Sequence, residues 1–145
     1  MDKDELLGYC RGEFEKLQGL AEALSPLCPP EMTDCGLTET AAIGAFLFSL
    51  YSGIERVLEQ LLLFDSLRVG ETQGRHPEIL KKASELGIVP PDLHSVLAGY
   101  LAFREVFGQS YITELNCQKL CGLAREAKET VDRLEKEVLE YIETI

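Results

Sequence analysis

The sequence predicts an all-α protein, an antiparallel bundle of about five helices. Three observations carry that expectation. Apolar residues recur at three- and four-residue steps through most of the chain. No stretch alternates apolar and polar residues as a half-buried strand would. Proline and glycine punctuate the apolar runs at intervals that leave helices of ordinary or long length. There is no internal repeat, and 145 residues fit one domain over residues 1–145. A chain of this size buries roughly 68–70% of its unfolded surface, enough for a core without covalent staples.

In the first segment Leu6, Leu7, Cys10, Phe14, Leu17, Leu20, Ala21 and Leu24 form one stripe on a helix over residues 3–25. The Pro-rich stretch SPLCPPEMTDCG ends it. A second helix is expected from Thr38, as N-cap, to Phe64, with Glu39 in its first turn. Its first half, AAIGAFLFSLY, is apolar almost all round. That is the pattern of a central buried helix, and it falls short of the ~20 apolar residues needed to span a bilayer. The loop DSLRVGETQGRH follows. A third helix is expected to begin near Pro77, which suits a first helical position, and to stop at Gly87. Pro90-Pro91-Asp92 opens the fourth, with Leu93, Val96, Leu97, Tyr100, Leu101 and Phe107 on its buried side. The fifth runs from an Asn116 N-cap over 116–142. Its stripe is Leu120, Leu123, Ala124, Ala127, Val131, Leu134, Val138 and Ile142, and charged residues between them form a solvated face.

The net charge is −11, from 14 Lys+Arg against 25 Asp+Glu. Nucleic-acid affinity comes largely from neutralising phosphates with Lys and Arg, so this balance excludes general DNA binding and leaves any RNA binding weak. The acidic N-terminus MDKDELLGYC does not read as a signal peptide. The cysteines Cys10, Cys28, Cys35, Cys117 and Cys121 are then expected as reduced thiols in a cytoplasmic protein. Cys117 and Cys121, one helical turn apart, are candidates to share a metal, but buried cysteine also packs as a small hydrophobe, and core packing is the simpler reading. Cys28 and Cys35 flank the Pro-rich loop without an evident zinc spacing. No metal and no cofactor are expected.

The stretch Phe103-Arg104-Glu105-Val106-Phe107-Gly108-Gln109-Ser110-Tyr111 is the chemically interesting one. On an intact helix Arg104 and Gln109, five apart, differ by about 140° in direction and cannot face one target. If the helix stops at Gly108, which accepts positive φ cheaply, Gln109 is re-aimed. A plain helix end fits the same residues.

This stretch resembles the motif of the HepT-like proteins of the HEPN superfamily, Arg-x4-His-x-Tyr, which in one group stands in a frame FRHxFRHxY. The agreement is at Phe103, Arg104, Phe107 and Tyr111. FSLYSGIERVLEQL resembles the group's FYNGVERIFERI helix at Tyr51, Gly53, Glu55, Arg56 and Glu59. GRHPEIL resembles its G-x-W-H-x-x-L-L segment at His76, with Arg75 in place of tryptophan. The likeness spans roughly residues 40–142.

The resemblance implies a HEPN-like bundle acting as a metal-independent endoribonuclease in a toxin–antitoxin system. It implies a homodimer whose paired motifs share one cleft, and a nucleotidyltransferase antitoxin that attaches AMP to the motif tyrosine, here Tyr111. Arg104 would bind the scissile phosphate through its planar fork. Gln109 stands at the histidine position, and an amide cannot act as general acid or base, a loss of typically about 10²–10⁴-fold. Glu105 and Gly108 replace basic residues of the frame. The activity is therefore expected to be impaired. His76 is a supporting candidate for the proton, beside its plainer reading as a cap or packing residue. His94 is expected at the surface. Glu55 is a supporting candidate to hold Arg104, beside its reading as a solvent-facing glutamate. Two alternatives stand beside the impaired toxin: a catalytically inactive helical dimer acting as a protein-interaction module, and a scaffold in which Arg104 is only a surface or ion-paired residue.

Overall fold

The computed structural model describes residues 1–145, with five helices and no strand: α1 (Lys3–Leu24), α2 (Leu37–Phe64), α3 (Arg75–Glu85), α4 (Pro91–Phe107) and α5 (Cys117–Thr144). Short 3₁₀ turns at Ser25–Leu27 and Ile112–Glu114 flank the long connections.

Local chemistry sets most helix ends. Asp2 caps α1 by accepting from the Glu5 N–H at 2.8 Å, while Glu5 accepts from the Asp2 N–H, a reciprocal capping box. Asn116 caps α5 by accepting from the Lys119 N–H at 3.1 Å, as expected. Pro91 occupies the first position of α4. α3 ends where glycine predicts. Gly87 has φ +81°, its N–H donates to Ser84 O, and the Ile88 N–H reaches back to Ala83 O. That pair of bonds satisfies the last carbonyls, and Ile88 is then buried. Two expected starts move. The N-cap of α2 is Gly36 rather than Thr38, and α3 begins at Arg75, two residues before Pro77. Proline is tolerated anywhere in a first turn, where its missing N–H has no partner to lose.

Side-chain contacts give the packing directions. Lys3 reaches Glu143 O, Gln18 bonds Asp132, and Cys28 meets Cys121, so α1 and α5 run antiparallel. Met1 approaches Gln60, Arg56 pairs with Glu13, and Leu17 lies over Gly53, so α1 and α2 do likewise. α2 packs against all four other helices, which explains its nearly unbroken apolar first half. By length and composition the whole helix is long and apolar enough to cross a bilayer, and more than half of its most apolar stretch is buried in the bundle. One continuous core of 33 buried residues contains the expected stripes of α1, α4 and α5, with Leu7, Leu20, Val96, Phe107 and Leu123 only partly covered.

The cysteines depart from expectation. Instead of isolated reduced thiols the structure pairs Cys28 with Cys121 and Cys35 with Cys117, at Cα separations of 5.4 and 5.6 Å; only Cys10 is unpaired. The loop after α1 folds back over the first turn of α5, bringing together residues 93 and 82 positions apart. Cys121 is buried as a core residue would be, but its neighbour is another sulfur rather than hydrocarbon.

Candidate functional site

Arg104 sits one turn from the end of α4. That end is held against α2 by a close approach at Gly44, where an added Cβ would lie 2.6 Å from Phe107 Cε1. Phe107 in turn packs on Phe48 and Phe103, with ring centroids 5.7 and 5.5 Å away. The Arg104 guanidinium lies over the Phe48 ring at 4.8 Å, a cation–π contact that directs it towards α2 and α3 rather than into solvent.

There it meets His76. Arg104 Nη1 is 3.1 Å from His76 Nε2, and His76 Nδ1 is 2.6 Å from Glu55 Oε1. A guanidinium has donors only, so Nε2 must accept. Nδ1 then carries the ring proton and donates it to the Glu55 carboxylate. The partners thus select one tautomer of a neutral imidazole. Three helices contribute one residue each: Glu55 from α2, His76 from the first turn of α3, Arg104 from α4. Arg75, beside His76, anchors that turn by an ion pair to Glu59 and a bond from Nη1 to Val69 O at 2.9 Å.

Glu55 is not solvent-facing. It is buried, and its contact with Arg104 runs through His76 rather than directly. His76 is half-buried, packed between Glu55 and Arg104 in the first turn of α3. His94, expected at the surface, is also half-buried. Three buried polar atoms around this group lack a protein partner: Glu55 Oε2, Arg104 Nε and Tyr51 Oη. Burial, with the Glu55 carboxylate next in effect, pushes the Tyr51 phenol well above its ordinary range, so it stays protonated and remains a donor.

Gln109 does not join them. α4 ends at Phe107, as the glycine suggested, but Gly108 keeps an ordinary φ of −72°. The turn is made instead by the Gln109 and Ser110 N–H groups, both donating to Val106 O at 3.0 Å. Gln109 emerges exposed. Tyr111 is 78% exposed. The motif arginine and tyrosine therefore point to different surroundings within one chain. Sequence reasoning missed Phe48, whose signal was its place one turn after Gly44 on the face of α2 that receives α4.

The all-α five-helix bundle is consistent with the HEPN class. A family model described as HepT-like protein matches residues 42–145, and the chain belongs to that family. Comparison with curated proteins and with solved structures gave no match.

Proposed function

We propose that this HepT-like protein acts as a metal-independent endoribonuclease of a toxin–antitoxin pair, impaired at Gln109, in which His76 provides the proton transfer the motif position has lost. The observation that carries this reading is the Glu55–His76–Arg104 relay, 2.6 and 3.1 Å across its two links. Arg104 has donors to spare after bonding His76; its Nε is buried without a protein partner, so a phosphate oxygen reaches it only when the guanidinium swings outward. His76 Nε2, once that oxygen draws the guanidinium away, is a lone pair beside the phosphate and can take the proton of a ribose 2′-hydroxyl. Glu55 holds the tautomer and stabilises the imidazolium that forms, as a buried carboxylate does behind a catalytic histidine.

Homodimerisation is part of the proposal. Val106, Tyr111 and Ile112 expose apolar surface beside the motif, 50%, 78% and 38% respectively, which favours a second copy docking there. Two Arg104 residues near one cleft would offset the chain-wide charge of −11 locally. A cytoplasmic setting and an antitoxin that adds AMP to exposed Tyr111 belong to the same reading.

The test is cleavage of tRNA and mRNA by the wild-type chain and by Gln109→His, His76→Ala and Arg104→Ala, with oligomeric state followed by sedimentation. Slow wild-type cleavage, lowered about 10²-fold or more by His76→Ala and raised by Gln109→His, is expected. Wild type and a folded, dimeric Gln109→His that are both inert would remove the ribonuclease reading.

The second reading, an inactive interaction module, is favoured by one observation. Arg104 is already engaged by Phe48 and His76, so the relay also serves as an interhelical clamp. Arg104→Ala that loosens the fold while leaving partner binding intact would support it.

A further inference from the structure

We propose that Cys28, Cys35, Cys117 and Cys121 form a tetrathiolate site for Zn²⁺ when the protein is reduced, and that the two disulfides are the oxidised form of that site.

The four sulfurs form one cluster rather than two separate bridges. Cys35 Sγ lies 3.9 Å from Cys121 Sγ across the two pairs, and the sulfurs of Cys35, Cys117 and Cys121 all fall within 4.8 Å of one another. Cys28 is bonded to Cys121 and so belongs to the same group. Tetrahedral Zn²⁺ with Zn–S bonds of about 2.3 Å sets its ligands about 3.8 Å apart. The distance between the pairs is already that of ligands sharing a zinc ion. On reduction the two bonded contacts must open, and Cys28, which lies outside the trio of mutually close sulfurs, must swing towards Cys35 and Cys117, both by rotation of short side chains.

The surroundings favour thiolates. Cys117 is the first residue of α5 and Cys121 lies one turn on, where the helix N-terminus stabilises negative charge. Four thiolates on Zn²⁺ carry a net charge of −2. Arg125, a further turn along α5, donates to Cys28 O at 3.1 Å, Pro29 O at 2.8 Å and Met32 O at 3.3 Å. It fixes the loop that carries two of the ligands and places a positive charge next to it. Met32 Sδ, 3.8 Å from both Cys35 and Cys121 Sγ, covers the cluster with a soft apolar group. Cys28 and Cys121 are buried, while Cys35 and Cys117 are partly open, which leaves a route for the ion. Cys28 and Cys35 precede residue 42, so half of the site lies outside the family-matched segment.

The redox step balances. A phosphine reductant opens each disulfide to two thiols, passing two electrons and taking one oxygen from water. Zn²⁺ then binds as four protons leave. In reverse, two equivalents of a peroxide take two electrons each. With four protons they yield two disulfides, free Zn²⁺ and four waters.

The experiment uses the full chain, reduced with a phosphine and loaded with Zn²⁺ or Co²⁺, then freed of excess metal. One Zn²⁺ per chain by elemental analysis is expected, together with thiolate-to-cobalt charge-transfer absorption and the intense visible bands of a tetrahedral site. Cys35→Ser, in the half-open loop, should abolish the charge-transfer band, while Cys10→Ala, outside the cluster, should keep it. A thiol-reactive dye on the zinc-loaded wild type should find the four thiols protected until a chelator is added, a reading that needs no variant to fold. Reduced, folded protein that holds no zinc and shows four freely reacting thiols would overturn the proposal, as would disulfides that persist in the reductant. These readouts concern metal alone and are independent of RNA cleavage.

Discussion

Arg104 and His76, 28 residues apart, meet at 3.1 Å because α3 and α4 each turn one residue towards the same side of α2. That contact makes His76 Nε2 an acceptor and so makes Nδ1 the donor to Glu55. The same relationship explains why a protein lacking the motif histidine still presents an imidazole to its motif arginine.

The tautomer is directly measurable. In the wild type the His76 ring should carry its proton on Nδ1, read from imidazole ¹⁵N chemical shifts. Glu55→Gln removes the negative charge behind the ring and with it the stabilisation of the imidazolium. RNA cleavage should fall by roughly 10²-fold or more, within the range for disabling an acid–base group, while the fold is kept. Equal activity in Glu55→Gln and wild type would dismiss the relay as chemistry.

Gly44→Ala tests how the end of α4 is placed. The new methyl group would sit 2.6 Å from Phe107 Cε1, and Phe107 is hemmed in by Phe48 and Phe103. Overpacking of this kind costs typically about 1–3 kcal/mol. A calorimetric melt should show the loss, and cleavage should drop with it, because Arg104 is one turn before Phe107. An unchanged melting temperature would mean that α4 slides freely on α2.

Gly87→Ala isolates a backbone effect. No atom lies within 4 Å of the added Cβ, so the only penalty is the φ of +81°. The expected cost is about 1 kcal/mol, or about 3–5 °C in melting temperature for a chain this size. Gly87→Asn should cost less, since asparagine tolerates that conformation better. Activity should not change beyond the stability loss.

Alkaline pH should destabilise the fold. Burial pushes the Cys10 thiol from 9.0 up to about 11 and the Tyr100 phenol from 10.0 up to about 12. Below their ordinary values both groups are neutral folded or unfolded, and their contribution is fully present. As pH rises past those values the unfolded chain ionises and the folded one does not, so stability is lost between pH about 9 and about 12. Thermal melts followed by circular dichroism across that window should show the decline, and Cys10→Ala should reduce its early part. A flat profile would mean that these groups are not held dry.

The helices, their order and most of their ends were legible because they are decided by neighbours in sequence. A 3.6-residue apolar period, an Asn116 side chain three residues from the N–H it accepts, and a Gly87 that alone takes φ +81° cheaply are all local matters. The Thr38 expectation failed, and the helix end at Gly108 formed without a positive φ, for the same reason in reverse: several residues and turn geometries satisfy a local rule, and packing selects among them. Tertiary structure alone decided that Glu55, His76 and Arg104 converge, that Gln109 does not, and that four cysteines from a loop and a distant helix share one cluster. Those meetings depend on the angle and register at which helices pack. Steric details such as Phe107 against Gly44 and Leu17 against Gly53 set both, and no periodicity within a single helix encodes them.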